Sequence, residues 1–187
     1  AIVNAAAISS IAQVESNPSR AELINVELPS TLAMLANHLS ARFIHLSTDM
    51  VFDGKTGNYH LSDPSNPQSI YARQKLKAEK YVLKNTAQFS VVLRITPLSG
   101  NSPGGRRSIH ERLFEQWSVG QTPRLFIDEI RQPCSADNVA QVILELCERN
   151  DLRGLYHWAG AETLSRYAIA QRILNTFNLP EDLIQKE

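Results

Sequence analysis

The sequence is poor in glycine and in cysteine. Its 187 residues include eight glycines, none of them before Gly54, whereas ordinary usage of roughly 7% would give about 13. A glycine-rich turn is therefore excluded from the segment that precedes Gly54. The two cysteines, Cys134 and Cys147, are too few for a disulfide framework and lack metal-ligand spacing. We expect both thiols to be reduced, which is typical of a cytoplasmic protein.

An excess of one charge and long apolar runs are also missing. Nineteen Lys and Arg residues balance nineteen Asp and Glu residues, so no net field attracts the chain to nucleic acid or to anionic lipid. No apolar run approaches the roughly 18 residues that a membrane-spanning helix needs. His45, His110 and His157 are dispersed and show no metal-ligand spacing. The composition thus predicts an ordinary globular protein with no nucleic-acid partner, no membrane association and no metal site.

Predicted strands and helices alternate along the chain. Apolar runs predict strands at 2–3, 42–47, 89–95, 125–127 and 154–158. Helical spacing and capping residues predict helices at 17–40, 70–83, 108–119, 136–149 and 165–177. This alternation favours an α/β fold in which helices cover both faces of a parallel sheet.

Three residues form the strongest candidate site. Thr48 ends a predicted strand, and ligands of open parallel sheets bind beyond the carboxyl ends of strands. Tyr71 and Lys75 are four residues apart in a predicted helix and so share one face. A nearby ammonium lowers the pKa of a phenol from about 10, which would make Tyr71 a usable general acid or base. The alternative is a surface tyrosine that happens to have a lysine nearby.

The surrounding motifs give this group a family context. The segment Leu-Ser-Thr-Asp-Met-Val-Phe-Asp-Gly at 46–54 is followed by Tyr-Ala-Arg-Gln-Lys at 71–75. Together they resemble the extended short-chain dehydrogenase/reductase superfamily and, within it, the dTDP-4-dehydrorhamnose reductases and their relatives (the RmlD-like substrate-binding family). The likeness includes Asn-Ala-Ala at 4–6 and Gly-Leu-Tyr-His-Trp-Ala-Gly at 154–160, and so covers nearly all of the chain.

The resemblance implies a Rossmann-like, doubly wound parallel sheet that lacks its first strands and the glycine-rich phosphate turn. Residues 1–100 would be the carboxy-terminal part of the NAD(P)-binding domain. Residues 101–187 would be mainly a small substrate-binding portion, with some segments returning to the sheet. We therefore expect a carboxy-terminal part of a protein of roughly 250–300 residues, inactive by itself. Its first strand would expose an apolar edge that invites a homodimer or other self-association.

The resemblance also implies roles for individual residues. Tyr71 would protonate the C4 carbonyl oxygen of a 4-keto nucleotide sugar while NADPH (or NADH) delivers hydride to the carbon. Lys75 would bind the nicotinamide ribose and lower the pKa of Tyr71, and Thr48 would complete the carbonyl site. The cofactor-binding residues would be Asn4, Ala5, Ala6, Ser47, Tyr71 and Lys75. The substrate-binding residues would be Thr48, Asp49, Val51, Phe52, Arg106 and Arg131.

Asn25 is a fourth candidate catalytic residue. Members of the superfamily often use an asparagine here, whose main-chain carbonyl holds a water linked to the lysine. Pro29 has no N–H and cannot donate to the Asn25 carbonyl, so the carbonyl is free for a water and the helix should kink nearby. Our hypothesis is that a water joins this oxygen to Lys75. The alternative is a tolerated kink with a side-chain cap.

Two segments depart from the reductase pattern and leave the sugar undefined. They are Ile-Thr-Pro-Leu at 95–98 and Asp-Glu-Ile-Arg-Gln-Pro-Cys at 128–134. Arg106, beside Gly104 and Gly105, could hold a diphosphate, or could lie in a solvated loop. The altered segments favour an alternative function: a non-catalytic, NADP-binding regulatory subunit resembling the methionine adenosyltransferase β subunit.

Overall fold

The structure is a computed structural model that describes residues 1–86 and 88–187. The chain forms two compact units. The first comprises Ala1–Ile95 and Gln141–Trp158, and the second comprises Thr96–Ala140 and Ala159–Glu187. Among the described residues, no helix combines the length and apolar character needed to cross a membrane.

Strands and helices alternate through most of the described chain. In order, the strands are β1 (Ile2–Asn4), β2 (Phe43–Thr48), β3 (Ser90–Ile95), β4 (Leu98–Ser99), β5 (Arg124–Leu125), β6 (Ile130–Arg131), β7 (Cys134–Ser135), β8 (Gly154–Trp158), β9 (Leu164–Ser165) and β10 (Gln185–Lys186). The α-helices are α1 (Ile11–Ser16), α2 (Pro18–Glu22), α3 (Leu28–His38), α4 (Ile70–Thr86), α5 (Ile109–Ser118), α6 (Ala136–Glu148) and α7 (Arg166–Thr176).

A four-stranded parallel sheet, in the order β1-β2-β3-β8, forms the centre of the first unit. Asn4 is paired with His45, Thr48 with Ile95, and Ile95 with Trp158. All four strands run the same way, so their carboxyl ends lie at one edge of the sheet. This arrangement confirms the α/β, Rossmann-like parallel sheet expected from the sequence.

Apolar side chains cover both faces of the sheet. On one face, Phe43 and Val92 pack with Val82 of α4 and with small residues of α3. On the other face, Ile44 and Leu93 pack with Leu146 of α6. All six of these large side chains are at least 95% buried, and each such burial stabilises the fold by roughly 1.5–3 kcal/mol. Because side chains alternate across a strand, neighbouring residues of β2 serve opposite cores.

The segment between β1 and β2 is less regular than the single helix predicted at 17–40. The Asn17 side chain accepts a hydrogen bond from Arg20 N at 3.0 Å, and Pro18 opens α2, as capping rules predict. A π-helical turn, Leu23–Glu27, then separates α2 from α3. This turn lies just before Pro29, where the sequence predicted a kink. Proline has no N–H, so one of the hydrogen bonds of a regular α-helix is missing there. Helix α1, which Ser10 caps, was not predicted.

The second unit is held by short strand pairs and a separate apolar core. Its pairs are β4 with β7, β5 with β10, and β6 with β9. Leu113 of α5 packs with Leu174 of α7 and with Ile184. Strand β4 was not predicted, and the strand predicted at 125–127 is shorter and displaced to Arg124–Leu125. These two-residue strands are too short for an alternating pattern to reveal them.

Candidate active site

Thr48 and Tyr71 meet at the carboxyl end of β2. A 3-10 turn, Asp49–Val51, follows this strand, and the Thr48 hydroxyl accepts a hydrogen bond from Met50 N at 3.2 Å. Tyr71 lies in the first turn of α4, near enough to the Thr48 hydroxyl for that group to oppose part of the rise in its pKa. The structure therefore brings these two predicted residues together at the sheet edge where α/β proteins bind ligands.

Tyr71 is almost fully buried. The residue is 9% exposed and packs with Val14 and Ala21. Burial, and then the Asp49 carboxylate, raise the pKa of Tyr71 to about 12, since both disfavour a phenolate. The expectation that Lys75 lowers this pKa is therefore wrong for this structure.

Lys75 directs its amine at strand β2. Its Nζ donates to the Leu46 carbonyl oxygen at 2.6 Å and lies 3.3 Å from His45 Nε2. The residue is 2% exposed. Burial lowers the pKa of Lys75 to about 8, although the Glu79 carboxylate opposes the shift. The buried amine can thus change its charge near neutral pH, which few lysines do.

Asn4 and His45 extend this polar group across the sheet to β1. Asn4 Nδ2 is 3.1 Å from His45 Nδ1, and Asn4 Oδ1 accepts from Ala6 N at 3.1 Å. Asn4 and His45 are 3% and 0% exposed. Burial, with the neighbouring Lys75, lowers the pKa of His45 well below its usual range. His45 was not predicted as a site residue, because in the sequence it is an isolated histidine.

A buried ion pair lies next along the same helix. Arg94 Nη2 of β3 donates to Glu79 Oε2 at 2.7 Å, with both side chains at most 5% exposed. The Ser47 hydroxyl donates to the same carboxylate. The Ser47 side chain is therefore bonded to Glu79, and its predicted cofactor contact remains a prediction. The spacing in the sequence could have identified Glu79 as a neighbour of the site, since Glu79 follows Lys75 by one helical turn on the same face.

Val51 and Phe52, predicted to bind substrate, are buried in the first unit. Val51 is fully buried and Phe52 is 8% exposed. The Phe52 ring stacks on Tyr59 at 4.4 Å between centroids, and the Arg94 guanidinium lies 5.0 Å from its centroid. These contacts give Phe52 a packing role beside the ion pair. A substrate contact by either residue remains a prediction.

Asn25 uses its side chain to join three segments. Its Oδ1 accepts from Ile8 N at 2.9 Å, and its Nδ2 donates to Ile8 O at 3.0 Å and to Gln74 Oε1 at 2.9 Å. Asn25 is fully buried in the π-helical turn. This side-chain bridge was not predicted, because the sequence does not show that Asn25, Ile8 and Gln74 meet. The proposed water between Asn25 O and Lys75 remains a hypothesis.

The other predicted residues lie at different depths. Ala5 and Ala6 are exposed and directly follow β1. In the second unit, Arg106 is paired with Glu115 at 3.3 Å, and its side chain is 77% exposed. Arg131 is paired with Glu129 at 2.7 Å. Their roles toward cofactor or substrate remain predictions.

The parallel sheet, with helices on both faces, defines a Rossmann-like α/β protein. The chain belongs to the RmlD substrate binding domain family, whose model matches residues 1–186. This result confirms the resemblance drawn from the sequence motifs.

Solved structures of reductases share the fold over the whole chain. A structure described as a hypothetical dTDP-4-dehydrorhamnose reductase from Sulfolobus tokodaii is 31% identical, with a TM-score of 0.86, over 100% of this chain and 64% of that one. A dTDP-4-dehydrorhamnose reductase from Bacillus anthracis str. Ames, in complex with NADP, is 21% identical, with a TM-score of 0.90, over 100% of this chain and 65% of that one. At 21% identity, the second likeness concerns the fold alone.

A curated relative with a different name is also similar. The methionine adenosyltransferase 2 subunit beta of Xenopus laevis is 34% identical over 172 residues, which are 89% of this chain and 51% of that protein. The chain spans about half the length of the curated relatives of this name.

Proposed function

We propose that the full-length protein is an NADPH-dependent reductase of a 4-keto nucleotide sugar, in which Tyr71 is the general acid. The observation that carries the proposal is the proximity of Thr48 and Tyr71 at the carboxyl end of β2, with Lys75 one helical turn further along α4. A pure packing role does not need a buried phenol, a hydroxyl and a buried amine at this edge.

Tyr71 is in the protonated form that a general acid needs. Because its pKa is raised to about 12, the phenol holds its proton at neutral pH and can donate it to the carbonyl oxygen as negative charge develops there. A reduced nicotinamide, when bound, supplies the hydride that the carbonyl carbon accepts. Tyr71 gives its proton to the carbonyl oxygen, so the ketone becomes an alcohol. Thr48 orients that oxygen with a second hydrogen bond.

The residues around Lys75 fit a nicotinamide cofactor in their chemistry. The exposed, small Ala5 and Ala6 leave room beside the carboxyl end of β1. The Lys75 amine is a donor suited to a ribose hydroxyl, and it can return a proton to Tyr71 after the transfer because its pKa is about 8. Asn4, Ser47 and the main chain after β1 complete the proposed cofactor contacts.

The experiment is a turnover assay of the full-length protein with NADPH and a panel of 4-keto nucleotide sugars. We expect NADPH consumption with at least one of them and a loss of about 10²–10⁴ in rate for Tyr71→Phe. Tyr81→Phe, which alters a tyrosine on the same helix α4, is the matched control and should retain the rate. An active Tyr71→Phe variant would contradict the assignment.

A second candidate is a subunit that acts by binding. The observation that favours it is the 34% identity to a protein named as a β subunit of methionine adenosyltransferase 2. In that case the full-length protein would bind NADPH without consuming it in the presence of any 4-keto nucleotide sugar. Tyr71→Phe would then leave its measurable property, the binding, unchanged.

A further inference from the structure

Asn4 has a fixed amide orientation. The backbone N–H of Ala6 donates to Asn4 Oδ1 at 3.1 Å, which identifies the oxygen of the amide, because an amide nitrogen in its place would face another donor. The other end of the amide is therefore the Nδ2 group, 3.1 Å from His45 Nδ1. An Nδ2 group is only a donor, so His45 Nδ1 accepts.

This contact selects one tautomer of His45. A neutral imidazole carries its hydrogen on one nitrogen only. Since Nδ1 accepts, the hydrogen is on Nε2. His45 is fully buried, and burial disfavours a charged ring that would carry hydrogens on both nitrogens.

The Nε2 hydrogen then faces the amine of Lys75 at 3.3 Å. An ammonium has three donors and no acceptor, so a charged Lys75 would oppose one donor to another. The neutral amine has a lone pair that can accept from Nε2 while the amine donates to the Leu46 carbonyl oxygen at 2.6 Å. When Lys75 is neutral, each of the hydrogen bonds that link Asn4, His45, Lys75 and the Leu46 carbonyl therefore has one donor and one acceptor.

The charged groups near Lys75 are already engaged. Glu79 on α4 favours the charged amine, but its carboxylate accepts from the buried Arg94 of β3 at 2.7 Å and from Ser47. On α2, Glu22 is paired with Lys77 at 2.5 Å. Among the described residues, His45 is in direct contact with the Lys75 amine, at 3.3 Å.

We propose that Asn4 acts through His45 to promote loss of the Lys75 proton, which makes Asn4 and His45 positioning residues for the reaction. The inference deepens the proposed function and depends on it for its purpose. After Tyr71 gives its proton to the carbonyl oxygen, the phenolate takes one from the Lys75 ammonium. The amine that remains is the form that His45 stabilises, and it later takes a proton from water.

The test is a pH titration of Lys75 in the full-length protein by NMR of the lysine side chains, with Lys75→Arg to assign the signal. Nitrogen NMR of the His45 ring should show hydrogen on Nε2 in the natural protein. Asn4→Asp should move the hydrogen to Nδ1, because a carboxylate only accepts, and should raise the titration midpoint of Lys75 by about one pH unit. Asn4→Leu, which adds no charge, should raise it by a smaller amount.

The His45→Phe background separates the relay from a direct charge effect. In the His45→Phe background, we expect each Asn4 variant to shift the titration midpoint of Lys75 by only a fraction of the shift that it causes when His45 is present. Equal shifts with and without His45, or no shift in either Asn4 variant, would overturn the inference. The titration needs no turnover, so an inactive protein with these shifts would refute the proposed reductase function alone.

Discussion

Removing the Glu79 charge should strongly destabilise the first unit. In Glu79→Gln, the buried Arg94 guanidinium loses a carboxylate that accepts from its Nε at 3.0 and 3.1 Å and from its Nη2 at 2.7 Å. The neighbours that remain are His157, the Ser65 hydroxyl and the Phe52 ring. Breaking one partner of a buried pair leaves an uncompensated charge and costs about 3–5 kcal/mol.

The double variant distinguishes a buried pair from a set of independent contacts. Glu79→Leu with Arg94→Met removes both charges, and replacing a buried pair by apolar residues of similar volume is often neutral or stabilising. We therefore expect the double variant to lose less unfolding free energy than either single variant. The assay is urea unfolding of the full-length protein, followed by circular dichroism and analysed for the midpoint and slope.

An exposed pair on the same unit provides the matched control. Arg149 Nη2 lies 2.8 Å from Asp151 Oδ2, but the two side chains are 49% and 62% exposed. Arg149→Met should therefore lower the unfolding free energy far less than Glu79→Gln, although the two pairs have nearly the same length. Equal, small losses in both variants would refute the reasoning, because they would show that burial does not strengthen the dependence of Arg94 on Glu79.

Three further predictions concern single residues. Arg42 donates Nε to Leu146 O at 2.8 Å and Nη2 to two further carbonyls after α6, so Arg42→Met should cost about 2–4 kcal/mol in urea unfolding. A Cβ at Gly160 would lie 2.0 Å from Pro133 O, so Gly160→Ala should lower the thermal midpoint through a loss of about 1–3 kcal/mol. The pKa of Lys75 is lowered from 10.5 to about 8. Between pH 8 and pH 10.5 the unfolded chain therefore binds more protons at Lys75 than the folded chain does. The free energy of unfolding should rise by about 3 kcal/mol across this interval. Unfolding measured over the same pH range should lack this rise in Lys75→Met.

The sequence was sufficient for the parallel sheet and for the meeting of Thr48 with Tyr71. Strand–helix alternation and the Asn17 cap are local signals, which depend on a few adjacent residues. The placement of Thr48 at a strand end follows from the same local pattern, since one edge of a parallel sheet collects all the carboxyl ends.

The charges at the site could not be predicted in this way. The pKa of Tyr71 depends on burial against Val14 and on the Asp49 carboxylate, which are properties of packing between distant segments. The spacing of Tyr71 and Lys75 gave a shared helix face but not the direction of the amine, which turns to the Leu46 carbonyl. The partnership of Glu79 with Arg94 joins a helix to a strand, and no periodic pattern marks it.

The central claim is that Tyr71 supplies the proton when the carbonyl is reduced. The most direct measurement is the single-turnover rate of nicotinamide oxidation in the full-length protein, with NADPH bound before a 4-keto nucleotide sugar is added. We expect Tyr71→Phe to bind NADPH as the natural protein does and to oxidise it about 10²–10⁴ times more slowly. An unchanged single-turnover rate in Tyr71→Phe would contradict it.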